Sequence, residues 1–75
     1  MLHVGNGNYV AKDKILAITS SESAPMRRKR TIAEDKNMII DCTAGKKTRS
    51  LLHLVDGFVV LSSTSPEALI SRIDK

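Results

Sequence analysis

The chain is 75 residues long and carries a formal net charge of +4, with a sequence pI of about 9.6. It is therefore read as one small basic domain, residues 1–75, with a thin core and a polyanionic partner. Tyr9 and Phe58 are its only aromatics and Cys42 its only cysteine, which excludes an intrachain disulfide and a Cys-based zinc site and makes a reducing, cytoplasmic setting the simpler expectation.

"LHVG" followed by "NGN" predicts a short strand and a turn, and "YV" with "KILAIT" predicts extended segments interrupted at Lys12 and Asp13. "SESAPMRRKRTIAEDKN" then reads as a helix, with Ser23 as its cap, Pro25 in its first turn and Asn37 as its stop. Its apolar stripe is narrow, formed by Met26, Ile32 and Ala33 at most. "MIIDCT" predicts the next strand, "AGKK" a short loop and "TRSLLHL" another strand. Asp56-Gly57 is the strongest hairpin signal in the chain. A two-residue turn there would set Val55 against Phe58, Leu54 against Val59 and His53 against Val60. "SPEALISRIDK" closes as a helix capped by Ser65, with Pro66 at its first position and a stripe of Leu69, Ile70 and Ile73. The order predicts an α+β fold, a small and mainly antiparallel sheet with a central helix and a C-terminal helix. No apolar run nears the roughly 18 residues that would span a bilayer, and the amino terminus lacks a signal-peptide pattern, so no membrane association is expected.

Charge is unevenly placed. Residues 27 to 49 hold eight bases against three acids, a net of +5, while the remainder is net −1. The stretch "GKKTRS", residues 45 to 50, is expected at the tip of a hairpin between two strands, where a rigid sheet would hold its cations out together. There, Lys46 and Lys47 would act as point charges on a phosphate backbone, Arg49 as a bidentate fork, and Gly45 would let the backbone approach closely. A solvated turn is the alternative. "RRKR" at 27 to 30 admits the same two readings; a helix would turn only two of these bases toward one surface, and Arg27 and Arg28 are the candidates.

Other chemistry is not supported. "GKKT" lacks the uninterrupted Gly-Lys-Ser/Thr unit of a phosphate-binding loop, and "GNGN" opens no helix and has no third glycine. His3 and His53 have no ligands at metal spacing and are read as sheet residues, so neither a metal nor a cofactor is expected. Asp41 and Cys42, adjacent on a strand, point to opposite faces and cannot act as a base and nucleophile. Cys42 is expected in the core. Asp41 either faces solvent or binds a basic residue and orients the clamp. No acid, base and nucleophile converge, so the chain is not expected to be an enzyme.

"GNGNYV", "SESAPMRR", "IIDCTAGKKTRS" and "VVLSSTSPE" resemble the extracellular matrix regulator RemA family of small bacterial DNA-binding proteins, and the likeness runs from about residue 3 to 73. The resemblance implies a ring-like homo-oligomer that binds double-stranded DNA and activates biofilm matrix genes. The basic pair after the glycine, here Lys46 and Lys47 where the family usually has arginines, would contact DNA, with Arg49 just beyond. The competing class is an oligomeric scaffold or RNA-binding module that uses the same basic surface.

Overall fold

The computed structural model describes residues 1–74. β1 (Leu2–Gly5) and β2 (Asn8–Val10) form an antiparallel ribbon. Between them Asn6 and Gly7 have φ of 55° and 79°, the two consecutive left-handed residues that a type I′ connection requires. A single 3-10 turn over Lys12–Lys14 follows, at the charged interruption the sequence marks, and leads into β3 (Ile15–Ser20).

Local signals set both ends of α1 (Ala24–Asp35). The Ser23 hydroxyl accepts the Met26 N–H at 3.3 Å, and Pro25 occupies the first turn, where no intrahelical donor is needed. At the other end Asn37 is left-handed, with φ of 56°. Its N–H reaches the Glu34 carbonyl at 3.1 Å and the Met38 N–H reaches that of Ala33 at 2.8 Å, the double bond of a Schellman stop.

β4 (Ile39–Asp41), β5 (Ser50–Leu54) and β6 (Val59–Ser62) join β3 in a sheet of order β3-β5-β6-β4. β3 with β5 and β5 with β6 are antiparallel; β4 with β6 is parallel. α2 (Pro66–Ile73) closes the described chain, capped by Ser65, whose hydroxyl accepts the Ala68 N–H. The result is the expected α+β fold. β5 and β6 are buried on both faces, as central strands must be. On one side Leu52 and Val60 pack with Leu2 and Val4 of β1, Cys42 and Leu69 of α2. On the other, Leu51, Val59 and Leu61 meet Ala33 of α1. Both helical stripes are narrower than expected: Ile32 is 55% exposed and Ile70 50%.

Two expectations are corrected. The β5–β6 connection has three residues, not two: the Gly57 N–H bonds to the Leu54 carbonyl and the Leu54 N–H to that of Phe58. His53 therefore faces Val59 and Leu52 faces Val60, a shift of one residue on β5. Only Gly57 is left-handed there, because the Asp56 carboxylate accepts the Phe58 N–H at 3.2 Å and holds Asp56 out of a type I′ geometry. The second correction concerns residues 45 to 50. β6 lies between β4 and β5, so "GKK" is not a hairpin tip but part of a crossing connection.

His53, on the α1 side of β5, ties sheet and helix together. The Thr19 hydroxyl lies 3.2 Å from Met26 Sδ and shares a 2.9 Å hydrogen bond with His53 Nε2. His53 Nδ1 is buried with no hydrogen-bond partner among the described residues. Burial first, and the Lys29 charge second, push the imidazole below its ordinary pKa, so it is held neutral. At the sheet's end, Ser62 Oγ donates to the Val4 carbonyl at 2.7 Å and accepts the Thr64 N–H at 3.0 Å, entirely out of water. Replacing Ser62 with alanine leaves that carbonyl without its main partner. Stability should fall by about 1–3 kcal/mol in urea denaturation, with the fold retained.

Candidate nucleic-acid interface

The connection from β4 to β5 is bonded to β6 at both ends. The Cys42 N–H reaches the Leu61 carbonyl at 2.9 Å and the Arg49 N–H that of Ser62 at 2.8 Å. Within it Ala44 and Gly45 have φ of 53° and 79°, and the Lys46 N–H returns to the Thr43 carbonyl at 3.0 Å. This is a second type I′ turn. Alanine in the left-handed region costs roughly 1–2 kcal/mol, so the surrounding contacts must impose it.

Those contacts come from two sides. Asp41 Oδ1 accepts both the Thr43 hydroxyl at 2.6 Å and the Thr43 N–H at 2.9 Å. These bonds, the hydroxyl first, hold the carboxyl below the ordinary aspartate range. Asp41 is thus exposed, and it orients the loop through Thr43 rather than through a basic side chain. From the β1–β2 turn, Asn6 donates to the Cys42 carbonyl at 2.9 Å and accepts Lys46 Nζ at 3.3 Å. One left-handed turn therefore braces the other. Gly45 stands at an open apex, where an added Cβ would meet nothing within 4 Å.

Beyond the turn, Lys47 pairs with Glu22 at 3.4 Å, but both side chains are mostly exposed. Such a pair is worth about 0–1 kcal/mol and yields readily to a phosphate. Lys47 shares one groove with Ser21, Glu22, Arg27, Arg30 and Thr48. Arg49, exposed, lines an adjoining groove with Lys47, Ser20 and the start of α2. The Ser21 N–H and hydroxyl grip the carbonyls of Arg49 and Thr48, which fixes the far end of the loop. Lys47, Arg27 and Arg30 thus come together, and Lys46 flanks them at Asn6. Arg28 shares one groove with Arg27, Thr31 and Ile32 and another with Lys29 and Lys36. Arg30, Asn6 and Thr43 were missed by sequence reasoning. The three-residue spacing from Arg27 puts Arg30 on the same helical face, whereas the roles of Asn6 and Thr43 depend on contacts the sequence does not display.

The charges of α1 run against its dipole. Four bases, Arg27 to Arg30, crowd its middle, its first turn has no acid, and Glu34 and Asp35 sit at its end. Anions favour the start of a helix and cations its finish, each by about 0.3–1 kcal/mol. This arrangement gives up that stabilisation and concentrates positive potential beside Lys47.

Comparison with known proteins follows the same outline. The family described as RemA-like, extracellular matrix regulatory protein A-like, matches residues 1–73. A protein of Synechococcus elongatus is 40% identical over 73 residues, covering 97% of this chain and 84% of the relative. Relatives from Dictyoglomus turgidum and Bacillus cytotoxicus are each 42% identical, the first over 74 residues (99% of this chain, 87% of the relative) and the second over 73 (97% and 84%). All three are named provisionally as regulatory proteins.

Asp41→Ala should loosen the turn. Because the folded carboxyl titrates below its unfolded value, its contribution is present above about pH 4 and lost as the pH falls through the folded pKa. Urea midpoints of the parent should therefore drop more between pH 7 and pH 3 than those of Asp41→Ala, and the two proteins should converge in acid.

Proposed function

The chain belongs to the RemA-like family of regulatory proteins, and from that premise we propose that it is a sequence-tolerant DNA-binding transcriptional regulator acting as a ring-like homo-oligomer. Its regulated genes, on this reading, are those of the extracellular matrix. The observation that carries the proposal is the braced loop: Lys46, Lys47 and Arg49 ride on a turn that is held at both ends, with Arg27 and Arg30 alongside. A rigid loop loses little conformational entropy when it binds, so its Coulomb energy goes into affinity. None of these cations serves the core, and a duplex backbone supplies phosphates to receive them. The cations lie on the loop that crosses the end of the sheet and on the adjoining side of α1, which suits contact to the backbone with preference coming from DNA deformability.

The same surface in an RNA-binding module would call for stacking aromatics. Tyr9 is the exposed one, and its ring lies 5.0 Å from that of His3 on the separate β1–β2 ribbon.

Replacing Lys46 and Lys47 together with alanine should weaken binding to duplex DNA at least about tenfold while circular dichroism stays unchanged. Unaltered affinity in the folded double variant would end the proposal, and tighter binding to single-stranded RNA than to duplex would favour the alternative. Assembly is tested by salt. A lone subunit neutralising about three phosphates gives a slope of log K against log[salt] near −2.7, whereas several subunits docking together should exceed about −5. A slope near −3 on long duplex would remove the ring from the mechanism.

A further inference from the structure

On the other flank of α1, a groove of about 600 Å³ runs from Pro25 to Lys36. Ala33, Met38 and Val59 form its apolar floor, and the β5–β6 turn at Asp56 and Gly57 is its far wall. Gly57 and Met38 are in close contact, since an added Cβ on the glycine would lie 3.1 Å from Met38 Cε. Ile32 stands on the lip, 55% exposed. Arg28, Lys29 and Lys36 border it, and none of the three meets a carboxylate within salt-bridge range among the described residues.

The groove that holds Lys47 with Arg27 and Arg30 shares no lining residue with this one, and a third groove, of Arg27, Arg28, Thr31 and Ile32, adjoins both. Phosphates would answer its cations but gain nothing from Ile32 or the floor. An apolar body is needed to take those side chains out of water. The exposed apolar patch around Leu16 and Ile70 of a second copy is a poor fit, because it brings Lys12 with it and would set like charges together. The stretch from Pro25 to Lys36 is about 16 Å long at the helical rise, the length of about five extended residues.

We propose that this groove docks an acidic, apolar segment of a partner protein. One large apolar side chain rests beside Ile32 on Ala33, Met38 and Val59, and carboxylates before and after it meet Arg28, Lys29 and Lys36. The inference goes beyond the DNA-binding reading and stands independently of it.

A fluorescein-labelled peptide of alternating glutamate and leucine serves as the probe, read by fluorescence polarisation on the full chain. It should bind, and a version with serine for leucine should bind at least about tenfold more weakly, a difference of about 1.4 kcal/mol. Ile32→Asp and, separately, Lys29→Glu should weaken the leucine peptide to a similar extent; both positions are on the helix surface, and circular dichroism confirms folding. The Lys46→Ala, Lys47→Ala double variant should keep the peptide. No binding, equal binding of the serine peptide, or full affinity in folded Ile32→Asp and Lys29→Glu would each overturn the proposal. So would loss of duplex DNA binding in Ile32→Asp, since the groove would then belong to the DNA surface. Peptide binding is read without DNA, so failure of either reading leaves the other standing.

Discussion

The insertion of β6 between β4 and β5 governs the placement of the basic loop. Once β6 pairs on both edges, parallel to β4 and antiparallel to β5, the chain leaving β4 can enter β5 only by crossing the end of β6. Eight residues, 42 to 49, make that crossing. They cover two interstrand spacings of about 4.8 Å each and are bonded to β6 where they leave and where they arrive. A hairpin tip would have projected as a free ribbon. This crossing lies against the end of the sheet, and its cations are carried by backbone that has nowhere to go.

A set of buried hydroxyls secures the same end. Ser50 and Ser62 face one another across β5 and β6, and both are buried. Ser50 donates to the Thr64 carbonyl and Ser62 to that of Val4. β1 is held to the sheet by the Ser62 bond and by its own Leu2 and Val4 in the core. Because β1 is fixed, the Asn6 turn that follows it is fixed, and Asn6 can grip both the Cys42 carbonyl and Lys46. Apolar burial at one end of the chain thereby sets the position of a charged atom some forty residues away.

What the sequence disclosed was mostly local. Ser23, Pro25, Asn37, Ser65 and Pro66 each act on groups within a few positions of themselves, and each sits where its chemistry placed it. Asp56-Gly57 was legible as a turn but not as a three-residue one, since the choice rests on the Asp56 carboxylate bonding ahead to Phe58. Strand order was not legible. Parallel pairing of β4 with β6 joins residues 20 apart along the chain, and alternation of side chains looks the same whichever neighbour a strand takes. The basic residues were visible from composition, and the i, i+3 relation of Arg27 to Arg30 was available in principle. The exposure of Ile32 was not, because the narrow stripe that includes Ala33 leaves its immediate neighbour facing outward.

α1, whose charges oppose its own dipole, has a thermodynamic consequence that reaches both flanks. A helix in this condition is held by its Schellman stop, its cap and the packing of Met26 and Ala33, and it is under repulsion from its own four bases. Any anion that settles on one side relieves part of that repulsion, and the native state gains by mass action. The relief is shared, because the bases are neighbours on one short cylinder and their fields overlap within a Debye length of about 8 Å. Occupancy of one flank therefore shifts the electrostatic work of occupying the other. The sign of that coupling depends on whether an anion merely neutralises the helix or leaves excess negative charge beside it. α1 is in this sense a capacitor plate with two faces, and what is stored on one is felt on the other.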